Sequence, residues 1–276
     1  VLATGATPVL ADVDPRTGCL TAESARAAIS DRTEALLPVH LFGARCDVPG
    51  LERLARAAGL ALVFDAAHAL AAAVPDRDGR RPAVAGDAEA YSLHATKALP
   101  AGEGGFVATG SAALAERCRR YARFGLDGDG LAAEPGVNAK LAEIPALLAL
   151  RGLPDLPARL AHRRRCALRY RRGLAGVPGL AWLPAEAGAA SGHPYAAARI
   201  DPCRFGLDAD ALRDALAAEG IEARRYFAPL HRHPAFAAAS TGPLPVAEAL
   251  AGVLLCLPLS SHLPLGDLDR VVEALR

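Results

Sequence analysis

A chain of 276 residues that is 52% hydrophobic, with 31 Lys and Arg against 30 Asp and Glu, has enough apolar content for a buried core and a net charge of only +1. These values exclude a disordered polyelectrolyte, and they remove any global electrostatic argument for nucleic acid or an anionic membrane as partner. Any partner has to be argued from a local site.

The six cysteines, Cys19, Cys46, Cys118, Cys166, Cys203 and Cys256, contain no C-x-x-C pair. That spacing argues against a zinc site or a dense disulfide framework and for a reducing cytoplasm. No apolar run reaches the roughly 18 residues of a membrane span, and no basic segment with a cleavage site opens the chain. A soluble, cytoplasmic protein is expected. The sequence contains no methionine, and its first residues do not resemble a natural start, so a missing N-terminal part is expected.

Through the first half, short apolar runs alternate with amphipathic stretches, which is the pattern of a sheet covered by helices. Pro8 to Val13 reads as a strand, Thr21 to Ile29 as a helix with Thr21 at its N-cap, and Ala35 to Leu41 as the next strand. Val48 to Gly59 has helical spacing and a closing glycine. Leu60 to Phe64 is a buried strand that stops at Asp65, and in open α/β sheets functional residues gather where strands end. Ala88 to Leu93 and Gly105 to Thr109 are further strands, with Lys97 in the loop between them. Ala112 to Arg123 is a helix, followed by a Gly- and Asp-rich candidate mobile loop at Gly125 to Gly136.

Leu141 to Leu174 is mainly helical, broken near Pro154 and Pro157, with the run Arg163-Arg164-Arg165 expected on an exposed face. The domain boundary is placed here, giving a large domain over residues 1–155 and a small α+β domain over 156–276. In the small domain Tyr195 to Ile200 and Ile221 to Tyr226 are expected strands, and Asp208 to Glu219 and Asp267 to Leu275 expected helices.

The pairing of chemical interest is Asp65 with Lys97. Pyridoxal phosphate requires a lysine amine for covalent attachment and a carboxylate at its pyridine nitrogen. Alone, each residue also fits a bland role, the aspartate as a turn former and the lysine as a solvated charge. Their surroundings carry more information. Phe64-Asp65-Ala66-Ala67-His68 and Ser92-Leu93-His94-Ala95-Thr96-Lys97, followed by Gly102-Glu103-Gly104-Gly105, stand in the order of a known family's signatures. So do Pro38-Val39-His40-Leu41-Phe42-Gly43, Gly136-Val137-Asn138-Ala139-Lys140, Pro229-Leu230-His231 and Leu257-Pro258-Leu259.

On these residues the chain resembles the nucleotide-sugar aminotransferases of DegT, DnrJ and StrS type, nearly from end to end. The resemblance implies an α/β fold of fold type I: a mainly parallel sheet flanked by helices, plus the small α+β domain. It implies pyridoxal 5′-phosphate as cofactor, an amino-acid donor such as glutamate, and a nucleotide-linked keto-sugar as acceptor. It also implies a homodimer with shared active sites.

Carried over residue by residue, Lys97 holds the cofactor and moves the substrate proton, and Asp65 pairs with the pyridine nitrogen. His68, where the family has Gln or His, contacts the phenolic oxygen; a core histidine satisfied by backbone is its other reading. Ser92 donates to the phosphate, and Asn138 reaches the phosphate of the neighbouring subunit. His231 lies near the sugar, unless it belongs to a surface turn with Arg232 and His233, and Tyr226 is a weaker second candidate. The resemblance gives Glu103 no role, and His40 and His94 are expected to be structural.

The family's Gly-Ser/Thr phosphate loop would lie upstream of residue 1, and Pro145 requires the helix after Asn138 to start late. Three competing readings follow from the same residues. A silent scaffold needing a partner chain is one, and a nucleic-acid binder using the arginine run is poor for want of aromatic or groove-matching elements. A related sugar dehydratase would carry histidine where Lys97 stands.

Overall fold

A computed structural model describes residues 1–73, 84–185 and 191–276. Strand β1, Val9–Leu10, is much shorter than the apolar run from Pro8 to Val13 suggests. Pro8 has no N–H to contribute, and Asp12 leaves the strand to accept the backbone N–H groups of Val246 and Ala247 at 2.9 and 2.8 Å. Helix α1, Ala22–Ala28, starts as expected at Thr21, whose hydroxyl forms a reciprocal capping box with Ser24.

Strand β2, Ala35–Leu36, stops short of Leu41 because Pro38 follows it. Contact with the next strand resumes beyond the proline, where His40 donates its N–H to the carbonyl of Asp65 at 2.9 Å. Helix α2, Val48–Ala58, is capped by Asp47 and closed by Gly59 at φ 67°, and it buries Leu51 and Leu54.

Strand β3, Ala61–Asp65, and β4, Ala88–Ser92, continue the sheet, and β5, Gly105–Ala108, closes it. The order is β2-β3-β4-β5, with β5 alone antiparallel. Asp65 is in register with Ala90 on β4, and Ser92 with Gly105 on β5. The parallel strands β3 and β4 therefore end side by side, and the loops that follow them carry His68 and Lys97.

Helix α3, Ala112–Ala122, leads into the Gly- and Asp-rich segment, which folds back on itself: Asp127 N–H reaches Leu131 O and Val137 N–H reaches Tyr121 O, both at 2.8 Å. Helix α4, Glu143–Gly152, places Pro145 in its first turn, where a missing N–H costs nothing. Helix α5, Leu156–Gly173, follows the break at 153–155 and joins two cores. Its first turns pack Leu156 and Leu160 with Leu93 and Leu99, and its last turns put Cys166 and Tyr170 in the C-terminal core.

That core is built on β6, Leu180–Leu183, and β7, Ala196–Ile200. The short α6, Pro202–Phe205, and α7, Ala209–Ala218, come next. Strand β8, Ser240–Thr241, pairs in parallel with β1; α8, Pro245–Val253, runs directly into β9, Leu254–Leu257; and α9, Leu265–Ala274, ends the fold. The sheet order is β6-β7-β9, all antiparallel.

Two sequence expectations fail here. Ile221 to Tyr226 is not a strand, because Arg224 makes only a single bridge to Cys256 and its neighbours find no ladder partner among the described residues. The arginine run is not exposed throughout: Arg164 and Arg165 face solvent, but Arg163 is 3% exposed. In a helix one residue of a consecutive triplet turns inward with the apolar stripe, here between Leu156, Leu160 and Cys166.

Candidate active site

The sheet's carboxyl edge brings four of the sequence-selected residues together. Asp65 is the last residue of β3, and its Oδ1 accepts the N–H of Ala67 at 2.9 Å, which turns the chain sharply toward His68. Ser92 is the last residue of β4, and its Oγ accepts the N–H of His94 at 3.2 Å. In that bond the hydroxyl is the acceptor, so its own proton remains available to a ligand.

Lys97 sits on a loop closed by backbone bonds from Leu93 N–H to Gly104 O at 2.9 Å and from Ala95 N–H to Gly102 O at 2.8 Å. Two glycines make the closure possible. Gly102 has φ +81°, and a Cβ on Gly105 would lie 2.4 Å from the carbonyl oxygen of Tyr91. His94 belongs to the same framework: its Nδ1 lies 2.9 Å from the Thr96 hydroxyl, and its Nε2 lies 3.6 Å from exposed Glu103. His40 is structural as well, fully buried, stacked on Phe64 at 4.8 Å and accepting the N–H of Cys46 at 3.1 Å.

The electrostatics of the cluster are consistent with its shape. Burial pushes the Lys97 amine below its ordinary pKa, the Asp65 carboxylate pulls it back up, and Arg163 lowers it again. Burial first, and then the Lys97 charge, push the His68 imidazole down to about 3. His68 is thus neutral at any working pH. Its Nδ1 accepts the N–H of Phe42 at 3.4 Å, so the ring proton resides on Nε2. Phe42 presents that N–H from a left-handed conformation at φ 50°.

Aromatic rings enclose the cluster. His68, Phe42 and Phe227 form a triangle of near-parallel rings, with His68 6.1 Å from Phe42 and 5.8 Å from Phe227 and the two phenyl rings 5.8 Å apart, and His68 meets Tyr195 edge-on at 4.9 Å. The Lys97 Nζ stands 5.9 Å from the Tyr195 ring centre. Tyr226 borders this wall, stacked on Phe227 at 4.7 Å, while its hydroxyl accepts from Arg224 at 2.8 Å. Phe42, Tyr195, Phe227 and Arg163 were not selected from the sequence. The rings come from segments far apart in the chain, and no local spacing signals their convergence.

Two sequence-selected residues stand apart from the cluster. His231, on the turn at Leu230–Arg232, is engaged by Glu248 of α8, as is Arg232. Asn138 is exposed and bridged to Arg123 at the end of α3.

The DegT/DnrJ/EryC1/StrS aminotransferase family matches the chain over residues 1–276. The chain belongs to this family. It is 34% identical to the GDP-perosamine synthase of Caulobacter vibrioides over 98% of its own length and 73% of that enzyme's. The crystal structure of DesI in the presence of its TDP-sugar product superposes with a TM-score of 0.90 at 39% identity, covering 99% of this chain and 69% of that one. The structure of S. venezuelae DesV in complex with a ketimine intermediate gives a TM-score of 0.87 at 34% identity, covering 100% of this chain and 73% of that one.

The chain is therefore a pyridoxal-phosphate-dependent aminotransferase of fold type I. The residues present fit that cofactor. A half-buried amine depressed toward its neutral form, a carboxylate whose charge reaches it, and a neutral Nε2 donor share one sheet edge. A Ser92 hydroxyl with an unspent proton completes a donor set suited to an anionic, heterocyclic group.

Proposed function

We propose that this enzyme moves an amino group from an amino-acid donor, glutamate in the first instance, to the keto group of a nucleotide-linked sugar. The convergence of Lys97, Asp65 and His68 at the ends of β3 and β4 carries the chemical part of this reading. The names of the GDP-perosamine synthase and of DesI with its TDP-sugar product support the substrate class.

Bound pyridoxal phosphate supplies an electron sink beside the carbon that loses and regains a proton. Lys97 would hold the cofactor and, with its amine free, would take that proton and return it, a task for an amine that is neutral part of the time. The Asp65 carboxylate would accept the ring N–H and so keep it protonated. His68 would donate from Nε2 to the phenolic oxygen, and Ser92 would donate its hydroxyl proton to the phosphate. Tyr226 and His231 are assigned to the sugar side, where the exposed ring of Phe227 forms one wall above His68.

The same reading takes residues 1–155 as the cofactor-bearing domain and 156–276 as the smaller one, with α5 as the joint. It takes the enzyme as a cytoplasmic homodimer. Support comes from the free state of all six cysteines and from the apolar outer side of α4, where Ile144 is 74% and Leu150 64% exposed. Asn138 faces outward, consistent with service to a neighbouring subunit's phosphate. No helix among the described residues is long and apolar enough to cross a membrane. A silent scaffold is not favoured, since the amine, the carboxylate and the donor are all in place.

Borohydride trapping with pyridoxal phosphate, followed by peptide mapping, is expected to label Lys97. Incubation with glutamate and a nucleotide-linked keto-sugar is expected to give the aminosugar with the natural chain and none with Lys97→Ala. Labelling elsewhere, or transfer by the Lys97→Ala variant, overturns the reading.

A further inference from the structure

Arg163 is the most deeply placed cation of the C-terminal half, and it has no carboxylate partner among the described residues. Its guanidinium is held by oxygen atoms alone. Nε donates to the Ser261 hydroxyl at 2.8 Å, one terminal nitrogen donates to Pro194 O at 3.3 Å and His193 O at 3.5 Å, and the other donates to Thr96 O at 3.0 Å. A buried charge is retained only where such bonds replace water, and one that no counter-ion neutralises projects its field onto its neighbours.

The placement of these bonds is specific. Thr96 precedes Lys97, Pro194 precedes Tyr195, Ser261 follows the last strand, and Arg163 itself stands midway along the helix that joins the two cores. One planar fork thus ties the lysine loop to three segments of the other core.

We propose that Arg163 is the positioning residue for Lys97, holding the Thr96 carbonyl so that the lysine amine keeps its place over Tyr195. The charge of Arg163, with no carboxylate beside it, also lowers the affinity of that amine for a proton. The inference rests on the assignment of Lys97 as the cofactor-bearing lysine. A purely structural arginine would act through stability alone. A positioning arginine also has to move the titration of whatever is attached to Lys97.

The test uses the holoenzyme and reads the pH titration of the visible absorbance of lysine-bound cofactor, alongside kcat and KM. In Arg163→Met the apparent pKa of that band is expected to rise by on the order of one pH unit, the scale of one lost charge at an effective protein dielectric. Its kcat is expected to fall by at least about tenfold from misplacement of the amine, with KM for the amino donor changing much less. Arg163→Lys keeps the charge but lacks the fork, so it is expected to restore the titration while recovering only part of kcat. Arg165→Met, which removes an exposed charge from the same helix, is expected to leave the band unmoved.

If Arg163→Met titrates like the natural enzyme, or if Arg165→Met shifts the band equally, the proposal is overturned. Should the methionine variant fail to fold, Arg163→Lys decides: full kcat with an unchanged band removes the positioning role. Lys97→Ala separates the two assignments. Persistence of the band there defeats the reading of Lys97 itself, whereas loss of the band there with no response to Arg163 defeats only this inference.

Discussion

The backbone N–H of Phe42 points at Nδ1 of His68, 3.4 Å away, and this contact fixes the proton of the neutral imidazole on Nε2. The ring then offers one neutral donor, which the proposed function assigns to the cofactor's phenolic oxygen. His68→Gln retains an N–H donor and is expected to hold pyridoxal phosphate within about tenfold of the natural affinity. His68→Leu leaves the oxygen without its donor and is expected to weaken binding by roughly 10- to 100-fold, the worth of one lost polar partner in a buried site. Equilibrium dialysis of the cofactor distinguishes them, and equal affinity of both variants would show that His68 makes no such contact.

Asp65 combines two tasks that one substitution can separate. Its Oδ1 shapes the turn by accepting from Ala67, and its charge raises the pKa of Lys97. Asp65→Asn keeps an oxygen for the turn and removes the charge. The variant is expected to fold normally by circular dichroism while kcat falls by at least about a hundredfold, since the pyridine nitrogen loses the group that keeps it protonated. The variant lysine amine should also titrate lower, because the carboxylate that opposed burial is gone. A kcat within a few-fold of the natural value would displace Asp65 from this role.

Much of the site was legible because its residues lie at the ends of strands that local patterns define well. Leu62 and Phe64 alternate toward the core and deliver Asp65 to the edge, and Gly102 and Gly105 mark the loop that carries Lys97. What was missed depends on contacts across the chain. Helix α8 and strand β9 meet at Val253 and Leu254 without turn chemistry, so an apolar stretch conceals a change of secondary structure. Arg163 looks like its two exposed neighbours in sequence, and only the oxygens of Thr96, His193, Pro194 and Ser261 make its burial tolerable. The stacking of Phe227 on His68 likewise joins residues 159 positions apart, by difference of their numbers, which no periodicity reports.

Helix α4 is apolar on both sides. Ala149 and Gly152 face the interior, while Ile144, Leu147, Leu148 and Leu150 are more than half exposed. A helix of this kind needs a second cover, and another copy of the chain is the cover that the proposed function calls for. The natural protein is expected to sediment as a dimer. Ile144→Asp combined with Leu147→Asp is expected to weaken association by at least about 100-fold, since losing burial of two such side chains removes about 3 kcal/mol or more. If Asn138 serves the neighbouring subunit, cofactor retention should fall together with dimerisation. A monomeric natural protein in analytical ultracentrifugation would contradict the prediction.

Two imidazoles that the fold holds below their ordinary pKa, His68 and His193, make the folded protein sensitive to mild acid. Burial lowers His68 to about 3, and burial with the charges of Arg171 and Arg164 lowers His193 to about 4. Both values lie below the ordinary 6.5, so the unfolded chain binds more protons than the folded one between the two limits. Stability from these groups is complete above about pH 6.5 and is lost as pH falls toward the folded values. At pH 5 the loss is about 2 kcal/mol per imidazole, which lowers the melting temperature by on the order of 10 °C relative to pH 7 for a chain of this size. His193 has φ 43°, a conformation that asparagine tolerates, so His193→Asn removes one titrating group without forcing the backbone. In differential scanning fluorimetry the cofactor-free variant is expected to lose about half of the drop between pH 7 and pH 5. A natural protein whose melting temperature stays level over that interval would show that neither imidazole is held neutral by the fold.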